Sequence, residues 1–392
     1  MTDKPWGTLV GVRPAKQLHR LLDQGINYED AFVQMHKENI ISAEKFALLW
    51  QVCQKERPIL AESSRPHLFS IYVGVPFCPT RCLYCSFPAH SLSELGSLRK
   101  QFIAALLQEI AATGNLTQEF KLQPYTVYFG GGTPTALHAA ELETIIIALR
   151  QAFPGTWREF TIEAGRPDTL TADHLAVMKQ YGVNRVSVNP QTMHQETLNR
   201  IGRRHSPEDI VYAMQAVREA KIDIINMDLI IGLPGENTKL VQASVQQVLA
   251  LSPENITLHV FSRKRASRYA QKEELFSLPD TNSIVEMHTT ATTMITKQDY
   301  HPYYLYRQRD ILGDLENIGY ALPGCECLYN IAMIEERHHI LGLGGGATSK
   351  FIRPDFSLKN LSSPKDVRMY IERVPQLLRL RELELKKSLS FS

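Results

Sequence analysis

Six short runs rich in β-branched and aromatic residues, separated by helical patterns, limit what this chain can fold into. The runs lie at 69–75, 126–129, 160–164, 185–188, 226–231 and 256–260, with helical patterns at 98–112, 141–153, 172–181, 207–220 and 239–251. A helix after each strand brings the chain back in the same direction, so the alternation predicts parallel pairing in an α/β fold. A closed eight-stranded barrel would need two more such units, and the pattern does not contain them. The expectation is therefore a partial (β/α)6 barrel.

Two flanking segments keep a different rhythm. Before the first run, Leu18, Leu21, Leu22, Phe32, Met35, Phe46, Leu48 and Leu49 recur at near-helical spacing. This predicts an N-terminal helical segment over residues 1–66, ending in a linker at Glu56-Arg57-Pro58 and Glu62-Ser63-Ser64-Arg65-Pro66. The barrel would occupy 67–265. Beyond it come the basic Arg263-Lys264-Arg265, a helical stretch at 284–297, Tyr303-Tyr304-Leu305-Tyr306-Arg307, the glycine-rich run 342–347 and a charged helical end after Pro364. These predict a C-terminal α+β domain over 266–392 that covers the barrel mouth.

Composition excludes some partners. With 43 basic against 41 acidic residues in 392, there is no electrostatic case for nucleic acid or an acidic membrane. No apolar run has spanning length, and no apolar N-terminal stretch resembles a signal peptide. The six cysteines are too clustered for a disulfide framework, which predicts a reducing cytoplasm.

Three of those cysteines carry the chemistry. Cys78-Pro-Thr-Arg-Cys82-Leu-Tyr-Cys85 follows the first strand and offers three thiolates from one loop. A cubane iron–sulfur cluster wants four ligands, so three leave one iron open to a small chelating molecule. A zinc loop is the competing reading. Zinc sites usually join paired ligands from two loops, and the sequence has no second C-x-x-C or H-x3-5-H pair.

Other polar elements fall at or just past the ends of the same strands, the face where parallel barrels place their chemistry. Gly130-Gly131-Gly132-Thr133-Pro134-Thr135 follows the second strand, Glu163 ends the third, Gln191 follows the fourth and Asp228 lies in the fifth. The glycines allow close backbone approach to an amino-acid amine, or else simply build a strand-to-helix turn. Glu163, Gln191, Arg203 and Asp228 suit the ribose hydroxyls, amine and carboxylate of an adenosyl amino acid. Tyr72 and Tyr84 flank the cysteine loop and suit either cofactor contact or packing. Cys325 and Cys327 read as free buried thiols, Cys53 as core, His338-His339 as a pair without metal spacing, and His90 as a surface histidine.

These motifs resemble the oxygen-independent coproporphyrinogen III oxidase family of radical S-adenosylmethionine enzymes, and more closely its coproporphyrinogen dehydrogenase-like branch. The resemblance rests on Tyr72-Val73-Gly74-Val75-Pro76-Phe77-Cys78, the glycine motif, Gly202-Arg203-Arg204-His205 and 226–235. The branch is suggested by Trp6 to Pro14, Tyr304-Leu305-Tyr306-Arg307 and 317–324. It implies a 4Fe-4S cluster on Cys78, Cys82 and Cys85, with S-adenosyl-L-methionine on its open iron. Tyr84, Gly131, Gly132, Thr133, Gln191, Arg203 and Asp228 would hold that cofactor, and Tyr72 and Glu163 would face a second one or the substrate. It further implies oxidative decarboxylation of porphyrinogen propionates to vinyl groups, and an electron donor such as flavodoxin or ferredoxin. Two features depart from the family: oxidases proper tend to have Cys-Gly-Cys where this chain has Cys85-Ser86-Phe87, and their N-terminal extension is not recognisable. Relatives with this core instead carry or modify haem, so a haem-binding carrier is the alternative expectation.

Overall fold

The computed structural model describes residues 4–9, 13–65, 67–85, 90–263, 269, 277–353 and 357–389. Of the positions named above, 10–12, 66, 86, 87, 264 and 265 lie outside these.

The six expected strands are present: β1 (Leu68–Val75), β2 (Gln123–Gly131), β3 (Glu159–Glu163), β4 (Arg185–Ser187), β5 (Ile224–Ile231) and β6 (Asn255–Val260). Each pairs in parallel with the next. Helices Arg99–Glu119, Ala139–Ala152, Ala172–Gln180, Pro207–Glu219 and Thr238–Ala250 return the chain between them.

The C-terminal part contributes β7 (His301–Tyr306), β8 (Asn317–Ala321), β9 (His339–Gly344), β10 (Thr348–Ile352) and β11 (Leu358–Ser362). All five join the same sheet, whose order is β11-β10-β9-β1-β2-β3-β4-β5-β6-β8-β7. Strand β9 lies parallel on β1, with Gly342 opposite Tyr72, and so makes a seventh parallel strand. Its glycines conceal it in the sequence. They are needed because a Cβ on Gly342 would come 2.6 Å from the backbone carbon of Thr348. Antiparallel strands finish both edges.

The sheet's two faces differ in kind. One carries Ile71, Val73, Val127, Phe129, Phe160, Ile162, Val186, Met227, Leu229 and Leu258, buried in the main core together with apolar residues of the helices. Period-2 alternation puts Tyr72, Tyr128, Glu163, Ser187, Asn226, Asp228 and Thr257 on the other face, and the strand register aligns them across the sheet. A parallel sheet covered on both faces normally reads apolar on both. Polar residues along one face mark a binding interior.

One helix of the C-terminal part lies at the end of the sheet away from the mouth. Helix Leu328–Glu335 meets the starts of the strands, because Glu159, first in β3, accepts from the N–H groups of Leu328 at 2.9 Å and Tyr329 at 3.0 Å. Arg185, first in β4, pairs with Glu159 at 3.1 Å and donates to the carbonyls of Cys325 and Glu326 at 2.9 Å. The helix thus closes the end opposite the cysteine loop. Tyr329 enters from that end and stacks on Tyr128, ring centroids 4.5 Å apart.

Two smaller expectations also change. Helix Ala43–Ser63 runs straight through the expected linker, with Pro58 inside it. Burial of the apolar Val52, Cys53 and Leu60 along the same helix outweighs the one backbone bond that proline removes. Cys327 is buried as expected, whereas Cys325 is only half-buried.

Candidate functional site

The cysteine loop leaves the C-terminal end of β1 and is held by the glycine motif beside it. Gly132 N donates to Val75 O at 2.7 Å and Thr133 N to Phe77 O at 2.8 Å, so the motif extends the β1–β2 ladder to Cys78. Gly131 has φ +102°, and a Cβ there would come 3.0 Å from Val75 O. At Gly132 a Cβ would overlap the Phe77 carbonyl. These glycines are therefore required first for the close approach of two backbones.

The three thiols sit among donors and cations. Cys78 Sγ lies 3.3 Å from Thr133 Oγ1, and Arg166 Nη1 donates to Cys82 Sγ at 3.5 Å. Burial pushes the Cys78 thiol up to about 12, against the pull of Thr133 and Arg166. Arg203 donates to Tyr84 Oη at 3.0 Å, to Gly165 O at 2.7 Å and to Asn189 O at 3.4 Å. Its charge also acts on Cys78 and Cys82. Helix Gln195–Ile201 presents Arg203 by ending at Gly202, whose φ of +78° turns the chain back.

A second group lies deeper on the polar face. Tyr128 Oη donates to Glu163 Oε1 at 2.5 Å. Asn226 Nδ2 donates to Asp228 Oδ1 at 2.8 Å, and His259 Nε2 lies 3.5 Å from Asp228 Oδ2. Burial alone would raise the Asp228 carboxyl, but its bonds to His259, Asn226 and Thr257 hold it below its ordinary value. Glu163 goes the other way: burial raises it to about 7, and the Asp228 charge adds to the rise. Asn189 joins the two groups, since its carbonyl accepts from Arg203 and its Oδ1 from the Asp228 N–H at 3.3 Å. Gln191, with φ +69°, bridges to β5 through the backbone carbonyl of Asp228 at 2.9 Å. Its buried Oε1 has no partner.

The structure thus assembles Cys78, Cys82, Tyr84, Thr133 and Arg203 around the loop, and Tyr128, Glu163 and Asp228 below it. Tyr72 belongs to the floor, beside the Tyr128–Tyr329 stack, its ring centroid 6.1 Å from that of Tyr128 and 5.9 Å from that of Tyr329. Cys85 N bonds Cys82 O at 3.3 Å, which keeps it in the same turn. His338 is tied to Ser70 and Ser63, His339 to the Ile352 N–H, and His90 to Lys365 O. Arg166, Asn189 and His259 went unread in the sequence. All three lie just past or within barrel strands, so the strand-end rule that selected Glu163 and Gln191 also reaches them.

Relatives bear on this rim. The Radical SAM superfamily model matches residues 72–248. The chain is 40% identical over 372 residues to the oxygen-independent coproporphyrinogen-III oxidase-like protein HemZ of Bacillus subtilis, covering 94% of this chain and 74% of that one. The chain belongs to the oxygen-independent coproporphyrinogen III oxidase family of radical S-adenosylmethionine proteins. The chain is also similar to the heme chaperone HemW of Lactococcus lactis, 28% identical over 81% of this chain and 78% of that one. The fold is that of coproporphyrinogen III oxidase (HemN) from Escherichia coli, at TM-score 0.66 and 20% identity over 86% and 78% of the two chains. It is the partial radical SAM barrel.

Proteins of this family use a 4Fe-4S cluster and S-adenosylmethionine. The rim's donor set fits both. Three thiols of one loop, with Arg166 and Arg203 beside them, suit a thiolate-bound cluster. The unpartnered Gln191 Oε1 and Arg203 Nε leave an acceptor and a donor for a polar ligand. Among the described residues no helix is long and apolar enough to cross a membrane.

The state of Glu163 yields a pH prediction. Its carboxyl titrates near 4.5 when unfolded and near 7 in the fold, so the fold favours the protonated form. The stability it contributes is full below about pH 4.5 and disappears as pH rises through about 7. Relative to Glu163→Gln, the native protein is expected to lose stability across that window. Urea midpoints of both proteins measure it, and parallel pH profiles would refute it.

Proposed function

We propose that this chain is a coproporphyrinogen III dehydrogenase-type enzyme in which Cys78, Cys82 and Cys85 hold the cluster. Gly131, Gly132, Thr133, Tyr84, Gln191, Arg203 and Asp228 hold S-adenosylmethionine in this reading. When bound, these groups supply reductive cleavage of a carbon–sulfur bond and abstraction of a hydrogen atom. A propionate losing that hydrogen beside the pyrrole ring becomes a vinyl group by releasing carbon dioxide and one electron to an acceptor. The cleavage draws its electron from a donor such as flavodoxin or ferredoxin.

The observation that carries the reading is the aromatic floor under the rim. Tyr72, Tyr128 and Tyr329 stack at interplanar angles of 19–25°, and Tyr304 and Tyr306 stack at 7° on the edge strand β7. Aromatic side chains on this face offer apolar contact to the individual pyrrole rings of a tetrapyrrole. Arg203, joined to Tyr84 and Gly165 O, orients its ligand near Cys78 and Cys82. Asp228, held ionised by His259 and Asn226, accepts hydroxyl donors. Glu163, half-protonated near neutrality, can hold or release a proton beside Tyr128 Oη.

The test is an anaerobic assay of reconstituted protein with S-adenosylmethionine, dithionite and coproporphyrinogen III. Vinyl products with loss of carbon dioxide are expected. Cleavage of S-adenosylmethionine with intact propionates would overturn the reading. The haem-carrier alternative draws on the HemW relative and on Tyr306 Oη and His259, 3.3 Å apart on the polar face. A Soret shift on haem titration, lost in His259→Ala, would favour it.

A further inference from the structure

Three helices away from the rim bring an imidazole, a thiol and two carboxyls together in a sealed interior. His19 comes from helix Pro14–Asp23, Cys53 and Glu56 from helix Ala43–Ser63, and Glu335 from helix Leu328–Glu335. Cys53 and Glu56 are three residues apart and so share one helix face. One ligand atom from each of His19, Cys53 and Glu56 lies within 4.8 Å of the other two. His19 Nε2 is 2.7 Å from Glu56 Oε2 and 3.9 Å from Glu335 Oε2. All four residues are at most 1% exposed.

This cluster lacks the cation that three other hidden acids have. Glu109, Glu159 and Glu316, equally hidden, each pair with a cation: Arg381 at 2.7 Å, Arg185 at 3.1 Å and Lys45 at 2.8 Å. Glu56 and Glu335 have the His19 imidazole as their ion-pair partner, and no lysine or arginine among the described residues pairs with either. His19 Nδ1, Glu56 Oε1 and both oxygens of Glu335 have no hydrogen-bond partner. The surrounding cations are engaged elsewhere: Arg57 and Arg337 on Asp23, and Arg13, Lys16 and Lys350 on Glu336. Buried groups left in this state are costly.

We propose that His19, Cys53, Glu56 and Glu335 form a structural site for a divalent metal, zinc by its donor set. One imidazole nitrogen, one thiolate and two carboxylate oxygens make a closed four-coordinate shell. Metal bonds of about 2.0–2.3 Å at tetrahedral angles space ligand atoms about 3.3–3.6 Å apart, so His19 and Glu56 must part by less than about 1 Å, and Glu335, outside the group of three, must swing in from its place 3.9 Å from His19 Nε2. Cys53 loses its proton on binding. Two carboxylates and one thiolate against a dication leave one negative charge, facing Arg57 and Arg337. The metal would staple the N-terminal helices to the helix that closes the barrel, independently of the iron–sulfur cluster.

The test uses protein purified anaerobically with its cluster, from cells grown with zinc. One zinc per chain is expected beside the cluster iron, with an anomalous-scattering peak at the zinc edge between His19, Cys53 and Glu56. Changes outside a metal's own ligands cost about 10–100-fold in affinity, so Cys53→Ser and Glu335→Gln are each expected to lower zinc affinity by at least about 100-fold. Cobalt added to the zinc-free protein carrying Cys78→Ala, Cys82→Ala and Cys85→Ala is expected to give a thiolate-to-cobalt absorption band that Cys53→Ser removes. A band that survives Cys53→Ser, or native protein with neither zinc nor the anomalous peak, overturns the proposal.

Discussion

Cys82→Ala is expected to abolish the iron–sulfur cluster and every reductive cleavage of S-adenosylmethionine, while the chain stays folded. Three thiols leave one cluster iron open, and two leave a second iron without protein ligand. The site-differentiated cluster then has nothing to hold it. Cys82 also receives Arg166 Nη1 at 3.5 Å, so its loss frees a buried guanidinium that Thr80 and Asp168 still hold. The thiol is small and most of the core lies beneath the other sheet face, so the helical circular dichroism is expected to persist. Iron and sulfide content, electron paramagnetic resonance of the reduced protein and 5′-deoxyadenosine formation measure the effect. Wild-type deoxyadenosine formation by this variant would remove the basis of the assignment.

The largest expected loss of stability comes from the far end of the chain. Arg381, on helix Val367–Leu389, donates to Glu109 Oε1, Gly342 O and Thr113 Oγ1, each at 2.7 Å. Glu109 in turn accepts from Gly344 N at 2.8 Å and Tyr370 Oη at 2.6 Å. This buried network fastens the last helix and the glycine end of β9 to helix Arg99–Glu119. Arg381→Ala would strand the Glu109 charge among apolar residues, and breaking such a pair costs about 3–5 kcal/mol. Arg381→Met with Glu109→Leu removes both charges together and is expected to recover most of that loss. Denaturant unfolding of the three proteins measures both statements. A single variant within about 0.5 kcal/mol of the native protein would contradict the account.

The six central strands were legible because burial on the apolar face demands β-branched residues at alternate positions, and short helices mark each return. Strand β9 was not, because its glycines serve the close packing of Thr348 and read as a loop. Pro58 suggested a linker, yet tertiary packing keeps it helical. Sequence carries no sign of which end of the strands helix Leu328–Glu335 meets; Glu159 and Arg185, first residues of their strands, decide it. At the rim, a motif announces three cysteines and a glycine run. Arg166, Asn189 and His259 are single residues whose importance comes from neighbours far apart in sequence. Cys53 read as core, and it is core; Glu56 lies one turn along the same helix, but His19 and Glu335 sit on two other helices that only the fold brings to it.

The central claim is that this rim takes a hydrogen atom from a tetrapyrrole propionate. Coproporphyrinogen III deuterated in its propionate chains, incubated anaerobically with reduced protein and S-adenosylmethionine, tests it directly. The account predicts deuterium in the 5′-deoxyadenosine, formed in step with vinyl product. Deoxyadenosine free of deuterium, with propionates unchanged, would contradict it.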